Sequence, residues 1–391
     1  MQVQSPHLII IPSVPVWENE DNLVFDRKFY DGILFYTRKW DGQITCLMQT
    51  SSAGLPDFGI VSIKRSELPF SCMTLASGEL VTEDHIRGAA LVLASGDAHD
   101  QLHISALCTK TGSKCVYVIE YIPETRYQIA SLSTKNPFIR LRRYFYIWFN
   151  EKKRIAAFRL SDGLQSNGTP AYYEYSKIKN NLLYFDTRVD KRNNISDGDL
   201  KKRVATLSEA NPLHLAFSGR LILMKGADHL VRLALMLRDA GIPFHLAIYG
   251  VGDLEHEMRE YISRNSLGGY VSMPGAVDFY TRLIPDIQES VDLFVCLHRQ
   301  SDPSCTYLET LSCGVPIVGY QNRAFAGLLG LADIGWGVRL DDLEGVVTVI
   351  GHLNTHRNEI ADKSEKSAAF ARLHDFETTF ENRITHLRSL V

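Results

Sequence analysis

The sequence predicts an α/β protein built from two doubly wound domains, and three observations carry that prediction. The chain has 391 residues, and with roughly 150 residues to a domain two cores fit better than one or three. In the C-terminal half, short β-branched or apolar runs closed by Gly or polar turns alternate with stretches of helical period, which implies a parallel sheet covered by helices. Between the halves, residues 186–209 (Asp186-Thr-Arg-Val-Asp-Lys-Arg-Asn-Asn onward) hold few apolar side chains and read as a linker.

Taken in chain order, residues 8–11, 43–48, 90–94 and 115–119 read as buried strands, and 26–39 as a helix. Beyond the linker, 214–219 reads as a strand and 226–240 as a helix with Leu230, Leu233, Ala234 and Leu237 on one face. Gly241-Ile242-Pro243 breaks that helix. Strands at 244–249, 270–273, 292–297 and 316–320 and helices at 254–265 and 307–313 complete the alternation, the last helix stopping at Gly314-Val315-Pro316. The domains are therefore expected at 1–205 and 206–372, with a helix at 373–391 able to return to the first domain. There is no internal repeat and no low-complexity segment.

Composition narrows the class. With 45% hydrophobic and 22% charged residues, the chain is neither disordered nor collagen-like nor a coiled coil. Its 42 Lys+Arg against 45 Asp+Glu give a net charge of -3, which speaks against a general nucleic-acid binder. The seven cysteines are odd in number, scattered and without a C-x-x-C pair, as expected in a reduced compartment. No cluster has metal-ligand spacing, so no metal is expected. The N-terminus has no basic n-region, the apolar stretch 8–11 is too short for a signal peptide, and nothing approaches the ~20 apolar residues that cross a bilayer. A cytoplasmic protein is expected, with association to the cytoplasmic membrane face left open.

Two doubly wound domains place a ligand-binding cleft at the carboxyl ends of their strands. Ser218-Gly219-Arg220 ends one strand, and Lys225-Gly226 opens the following helix. A diphosphate fits between the guanidinium fork and the ammonium, with helix N-terminal N–H groups beside them; two exposed loop charges would read the same way. The strand at 292–297 hands over to His298-Arg-Gln-Ser301-Asp302-Pro303-Ser304-Cys305-Thr306, and the helix that follows carries Glu309. An ionised carboxylate there suits the paired hydroxyls of a sugar or ribose, unless Glu309 is a surface residue.

Three motifs together, Ser218-Gly-Arg-Leu-x-x-x-Lys225-Gly, Tyr249-Gly-Val-Gly252-Asp-Leu and Asp302-Pro-Ser-Cys-Thr-Tyr-Leu-Glu309-Thr-Leu-Ser-Cys-Gly-Val-Pro, resemble the donor domain of the family 4 retaining glycosyltransferases, which adopt the GT-B fold. The resemblance spans 214–375. It implies an N-terminal acceptor domain and a C-terminal donor domain, and transfer of a sugar from a nucleotide diphosphate sugar to a hydroxyl of a glycan or lipid-linked acceptor, with retention, in polysaccharide or glycolipid assembly. It further implies no metal and no bound cofactor. By position, Arg220 and Lys225 resemble the diphosphate-holding pair and Glu309 the ribose-contacting second acid of E-x7-E. Ser304, Cys305 and Thr306 fall at the phosphate-binding loop. Gly219, Gly250 and Gly252 fall where glycine admits the nucleotide, although a tight turn also accounts for the last two.

The departures are specific. Ser301 stands where the first acid of E-x7-E belongs, with Asp302 next to it able to take over part of that role. Pro303 lacks the N–H that the usual glycine loop donates. The first strand is followed by Pro12-Ser-Val-Pro-Val-Trp rather than a glycine-rich loop, and Arg188 replaces a usual glycine. Glu120 occupies the place of a histidine near the reacting sugar, where it orients a hydroxyl or forms an ordinary salt bridge. His99 lies in a loop near the acceptor side, and Asn167-Gly168 at a further cleft position. Ser301 and Pro303 also leave room for a non-catalytic GT-B protein that binds nucleotide sugars or partners.

One segment stands outside this reading. Residues 136–154 hold six basic residues, one acid and six aromatics. Such a helix either lies on an anionic membrane or packs its aromatics into the core under a basic outer face.

Overall fold

Two all-parallel sheets form, and each is the centre of its own unit. The computed structural model describes residues 5–55, 59–134 and 136–391. Unit 1 comprises Met1–Tyr184 with Glu377–Val391, and unit 2 comprises Phe185–Phe376.

In unit 1 the strands are β1 (Leu8–Ile11), β2 (Trp17–Asn19), β3 (Asn22–Asp26), β4 (Ile44–Gln49), β5 (Ile60–Lys64), β6 (Ser71–Leu75), β7 (Leu91–Ser95), β8 (Lys114–Ile119), β9 (Gly163–Asn167) and β10 (Asn181–Tyr184). Seven of them make one sheet in the order β10-β9-β8-β7-β1-β4-β6. β1 (Leu-Ile-Ile-Ile) and β7 (Leu-Val-Leu-Ala-Ser) are buried at every position, because helices cover both faces of a parallel sheet and continuous apolar runs are what such strands need. The helix Arg27–Lys39 starts where the Asp26 carboxylate accepts the Phe29 N–H. Its Phe35 and Tyr36 pack against Phe380 of the C-terminal helix Phe376–Arg388, ring centroids 5.9 and 5.8 Å apart. Arg383 of that helix donates to the Gln165 side-chain oxygen on β9 at 2.8 Å. β2, β3 and β5 form a small antiparallel sheet that periodicity did not reveal, since two of its strands are half exposed and only three to five residues long.

Unit 2 contains β11 (Leu213–Ser218), β12 (Phe244–Tyr249), β13 (Val271–Gly275), β14 (Leu293–Cys296), β15 (Ile317–Tyr320) and β16 (Gly335–Val338), ordered β13-β12-β11-β14-β15-β16. The predicted strands lie within a residue or two of these. Leu230, Leu233, Ala234 and Leu237, the face singled out on the helix Ala227–Asp239, are all in the core with Leu215, Phe217, Ile248 and Val295.

The linker expectation needs correction. Within 186–209, Ser196 caps a helix at Asp197–Thr206, and this segment belongs to unit 2, whose division from unit 1 falls between Tyr184 and Phe185 rather than near 205. Its attachment is in part polar. The buried Arg203 guanidinium donates to the Cys313 carbonyl at 2.6 Å and to the Gly314 carbonyl, the acceptors left unpaired at the end of the helix Cys305–Ser312. Ile195 and Leu200 are also buried, against Ala368, but so few apolar residues among so many polar ones look like linker in composition alone.

Candidate functional site

In unit 2, β11 hydrogen-bonds to β12 on one side and β14 on the other, so the chain leaves it in opposite directions and opens a crevice at the carboxyl ends of β11 and β14, where doubly wound sheets bind ligands. Lys225 reaches this edge from the single 3-10 turn Leu223–Lys225 after β11. Asp302 reaches it from the loop after β14. The Lys225 ammonium stands 3.2 Å from Asp302 Oδ2, and the two residues are only 7% and 8% exposed. Two opposite charges this dry attract strongly and would be costly to separate without a replacement partner.

His298, the second residue past β14, lies beneath the pair. It is 1% exposed, and neither ring nitrogen has a hydrogen-bond partner. Burial, with the Lys225 charge in support, holds its pKa well below the ordinary value, so the ring is neutral. It packs edge-on to Phe217 and against Tyr307, centroids 6.2 and 5.8 Å away. Burial likewise pushes the Cys296 thiol up to about 12, which keeps it protonated.

Glu309 is buried on the second turn of the helix Cys305–Ser312, and its carboxylate takes a hydrogen bond from Arg188 Nε at 2.8 Å. That guanidinium also lies 3.7 Å from the centre of the Phe279 ring. The arginine that replaces a usual glycine is thus the partner of the expected ribose acid. Arg220 is exposed, and among the described residues its side chain forms no hydrogen bond or ion pair. Lys225 and Arg220 therefore occupy different environments, one dry and paired, the other open.

The loop amides differ from expectation. The Ser304 N–H donates to the Asp302 carbonyl at 2.9 Å, so a bond inside the tight turn around Pro303 uses the donor expected to face phosphate. Ser304 is the N-cap and Cys305 and Thr306 open the helix, whose first turn presents its end to the crevice. Ser301, in place of the first acid, is buried, and its hydroxyl accepts the Arg323 N–H at 3.3 Å. Gly250 and Gly252 answer to the chain's own backbone. A Cβ on Gly250 would sit 2.0 Å from the Gly219 carbonyl oxygen, at φ +123°, and one on Gly252 2.6 Å from the Leu221 carbonyl oxygen. Their lack of side chains lets the ends of β11 and β12 approach, which is the tight-turn reading of these positions.

The carboxyl edge of unit 1 carries a second polar cluster. Glu120 follows β8 and accepts a hydrogen bond from Asn167 Nδ2 at 3.1 Å. Asp97, beyond β7, accepts the N–H groups of Glu120 and Tyr121 and pairs with Arg126; burial nevertheless raises its pKa above the usual carboxylate range. Arg154 is completely buried, donates to the Gly96 carbonyl at 2.7 Å and to His99 Nδ1 at 3.1 Å, and pairs with Glu151, which also accepts the Tyr175 hydroxyl at 2.8 Å. Arg154, Glu151 and Asp97 were not legible as a site, because an arginine among other basic residues on a helix carries no mark of being the buried one.

His99 yields a prediction. Burial first, then Arg154 and Arg126, push its pKa down to about 4. As pH falls below the unfolded value near 6.5, the unfolded chain takes up a proton that the folded chain refuses, so stability is lost between pH 6.5 and 4. Melting curves across that range should show a shallower acid decline for His99→Asn than for the parent; identical slopes would exclude this histidine as a contributor.

Sequence comparison bears on the unit that holds the crevice. Residues 199–351 match the family model of the glycosyl transferases group 1. The matched segment lies wholly within unit 2 and contains Lys225, Asp302 and Glu309. The fold is that of the GT-B glycosyltransferases, and solved structures align over nearly the full length of both chains. HepE from Anabaena in complex with UDP shares 13% identity, with a TM-score of 0.64 over 99% of this chain and 100% of its own. Sucrose-phosphate synthase from Thermosynechococcus elongatus shares 13%, with a TM-score of 0.65 over 98% and 99%. A glycosyltransferase from Rickettsia africae shares 12%, with a TM-score of 0.63 over 99% and 99%. No curated protein matches the sequence.

Proposed function

We propose that this chain is a retaining glycosyltransferase that binds a nucleotide diphosphate sugar at the carboxyl edge of unit 2 and passes the sugar to a hydroxyl of a glycan or lipid-linked acceptor. The observation that carries the reading is the buried Lys225–Asp302 pair past the carboxyl ends of β11 and β14, with buried Glu309 on the helix that follows, all within the matched residues 199–351. As the bond from the anomeric carbon to the diphosphate breaks, negative charge grows on the leaving oxygen. Lys225, Arg220 and the first turn of the helix Cys305–Ser312 are the groups able to meet it. The acceptor hydroxyl attacks the anomeric carbon from the face the diphosphate leaves, and its proton passes to a leaving phosphate oxygen, so atoms and charge balance without a protein base. Asp302 holds the ammonium in place until the diphosphate competes for it.

Glu309 grips a ribose only when Arg188 releases it. Arg188 is half exposed but Glu309 is buried, so ligand hydroxyls must take over the hydrogen bond to the carboxylate as the arginine leaves. In unit 1, Glu120 and Asn167 are the side chains offered to an acceptor hydroxyl. Because HepE was crystallised with UDP and with UDP-glucose, uridine diphosphate sugars are the first donors to try.

Purified protein should be warmed with UDP, GDP, ADP and dTDP sugars, and the nucleotide that raises the melting temperature used in a transfer assay with NMR readout of the anomeric product. Retained configuration supports the reading; inversion overturns the mechanism. The committed Ser304 amide and the serine at 301 favour a second reading, a nucleotide-sugar-binding protein without turnover, and donor hydrolysis no faster than background would establish it. Glu309→Ala should weaken binding of the stabilising nucleotide roughly 10-fold to 100-fold, the scale of hydrogen bonds to a charged group, measured by calorimetry. Unaltered affinity would remove Glu309 from the ribose site.

A further inference from the structure

The helix Pro137–Leu160 is the least explained feature of unit 1. One face is in the core through Ile147, Arg154, Ala157 and Phe158. The opposite face is apolar and open: Phe138 is 82% exposed, Leu141 68%, Phe145 68% and Trp148 46%. Their spacing of three, four and three residues sets them in one stripe along the helix. Isolated surface hydrophobics are ordinary, but a continuous stripe of large ones marks a contact surface. Half-exposed Leu132, at the end of the helix Pro123–Leu132, adds a further apolar group.

The charge around the stripe selects the occupant. Arg140, Arg142, Arg143, Lys152 and Lys153 are exposed, and among the described residues none of them forms an ion pair. The helix's only acid, Glu151, is turned to the buried Arg154. Lys152 lies 3.6 Å from the Trp148 ring centre and Lys153 4.6 Å from that of Phe149, so ammonium groups stand directly beside aromatic ones. A second copy of this chain meeting the stripe symmetrically would bring these cations against each other. Lipid phosphates would neutralise them, while aromatic rings suit the boundary between headgroups and acyl chains.

We propose that this helix lies flat on an anionic lipid surface, stripe inward. It does not cross the bilayer, since no helix among the described residues is long and apolar enough to do so. Arg154 fixes its inner face to the Gly96 carbonyl beyond β7, so the docked helix and the Glu120 edge of the sheet form one body. The proposal does not depend on sugar transfer, and its test reads binding alone.

The full chain is floated with vesicles of phosphatidylcholine, or of phosphatidylcholine with about one-third phosphatidylglycerol, while tryptophan emission is recorded. Binding is expected to the anionic vesicles and not to the neutral ones, to weaken with salt, and to shift emission to the blue in the parent but not in Trp148→Phe. Arg140→Gln and Arg142→Gln should each lower the partition coefficient about fivefold, and Phe138→Ser combined with Phe145→Ser at least about tenfold. These positions are exposed, and unchanged melting curves will confirm that the variants fold. No binding to anionic vesicles, or binding indifferent to the Phe138→Ser/Phe145→Ser pair, overturns the proposal. So does concentration-dependent dimerisation in solution that those two substitutions abolish.

Discussion

Lys225→Ala is expected to lower turnover at least ~100-fold, the cost of removing one group that stabilises charge in the transition state. The substitution also strands Asp302, a carboxylate only 8% exposed whose ammonium partner stood 3.2 Å away, and breaking a buried pair from one side destabilises by roughly 3–5 kcal/mol. Activity and stability must therefore be separated. Adding Asp302→Asn removes the stranded charge, and the double variant should regain much of the lost melting temperature while turnover stays low. Recovery of turnover along with stability would mean that the lysine serves only to neutralise Asp302.

Arg154→Ala should produce the largest loss of stability in unit 1. The side chain is wholly buried and serves the Gly96 carbonyl, His99 and Glu151 at once. Its removal leaves the Glu151 carboxylate, 12% exposed, without a counter-charge, again a cost of roughly 3–5 kcal/mol. Thermal melts should show an early transition for unit 1 and a nearly unchanged one for unit 2, because the two have separate cores. Arg154→Met with Glu151→Gln should recover part of the loss, since no charge then remains buried. A shift of less than about 1 kcal/mol in the single variant would show that water reaches Glu151.

The two expectations share a cause that also divides what could be read from the sequence. Strands such as β1, β7 and β14 were legible because a parallel sheet covered on both faces requires unbroken apolar runs, and the helix Ala227–Asp239 because its buried leucines repeat at helical period. β2 and β5 were not, since short, half-exposed strands have no run to show, and β3, though buried at Leu23, Val24 and Phe25, is only five residues long. The segment before β11 read as linker because its few buried apolar residues, Ile195 and Leu200, stand among many polar ones, and a buried Arg203 shares the attachment.

At the crevice, the amino-acid order alone placed Lys225 and Asp302 in loops that follow strands, and Glu309 on the helix after the second loop, and so toward a carboxyl edge. It could not reveal that Lys225 and Asp302, 77 positions apart, pair with each other, or that Arg188 reaches Glu309 across 121 positions. It could not decide between the two readings of the basic aromatic helix either, because the same residues serve a core or a surface depending on which face the rest of the chain covers. Local order determines which groups exist and which element carries them, since periodicity, turns and caps act over a few residues. Only the folded chain decides which charges lose water and which find partners, because burial and pairing depend on segments that sequence holds far apart.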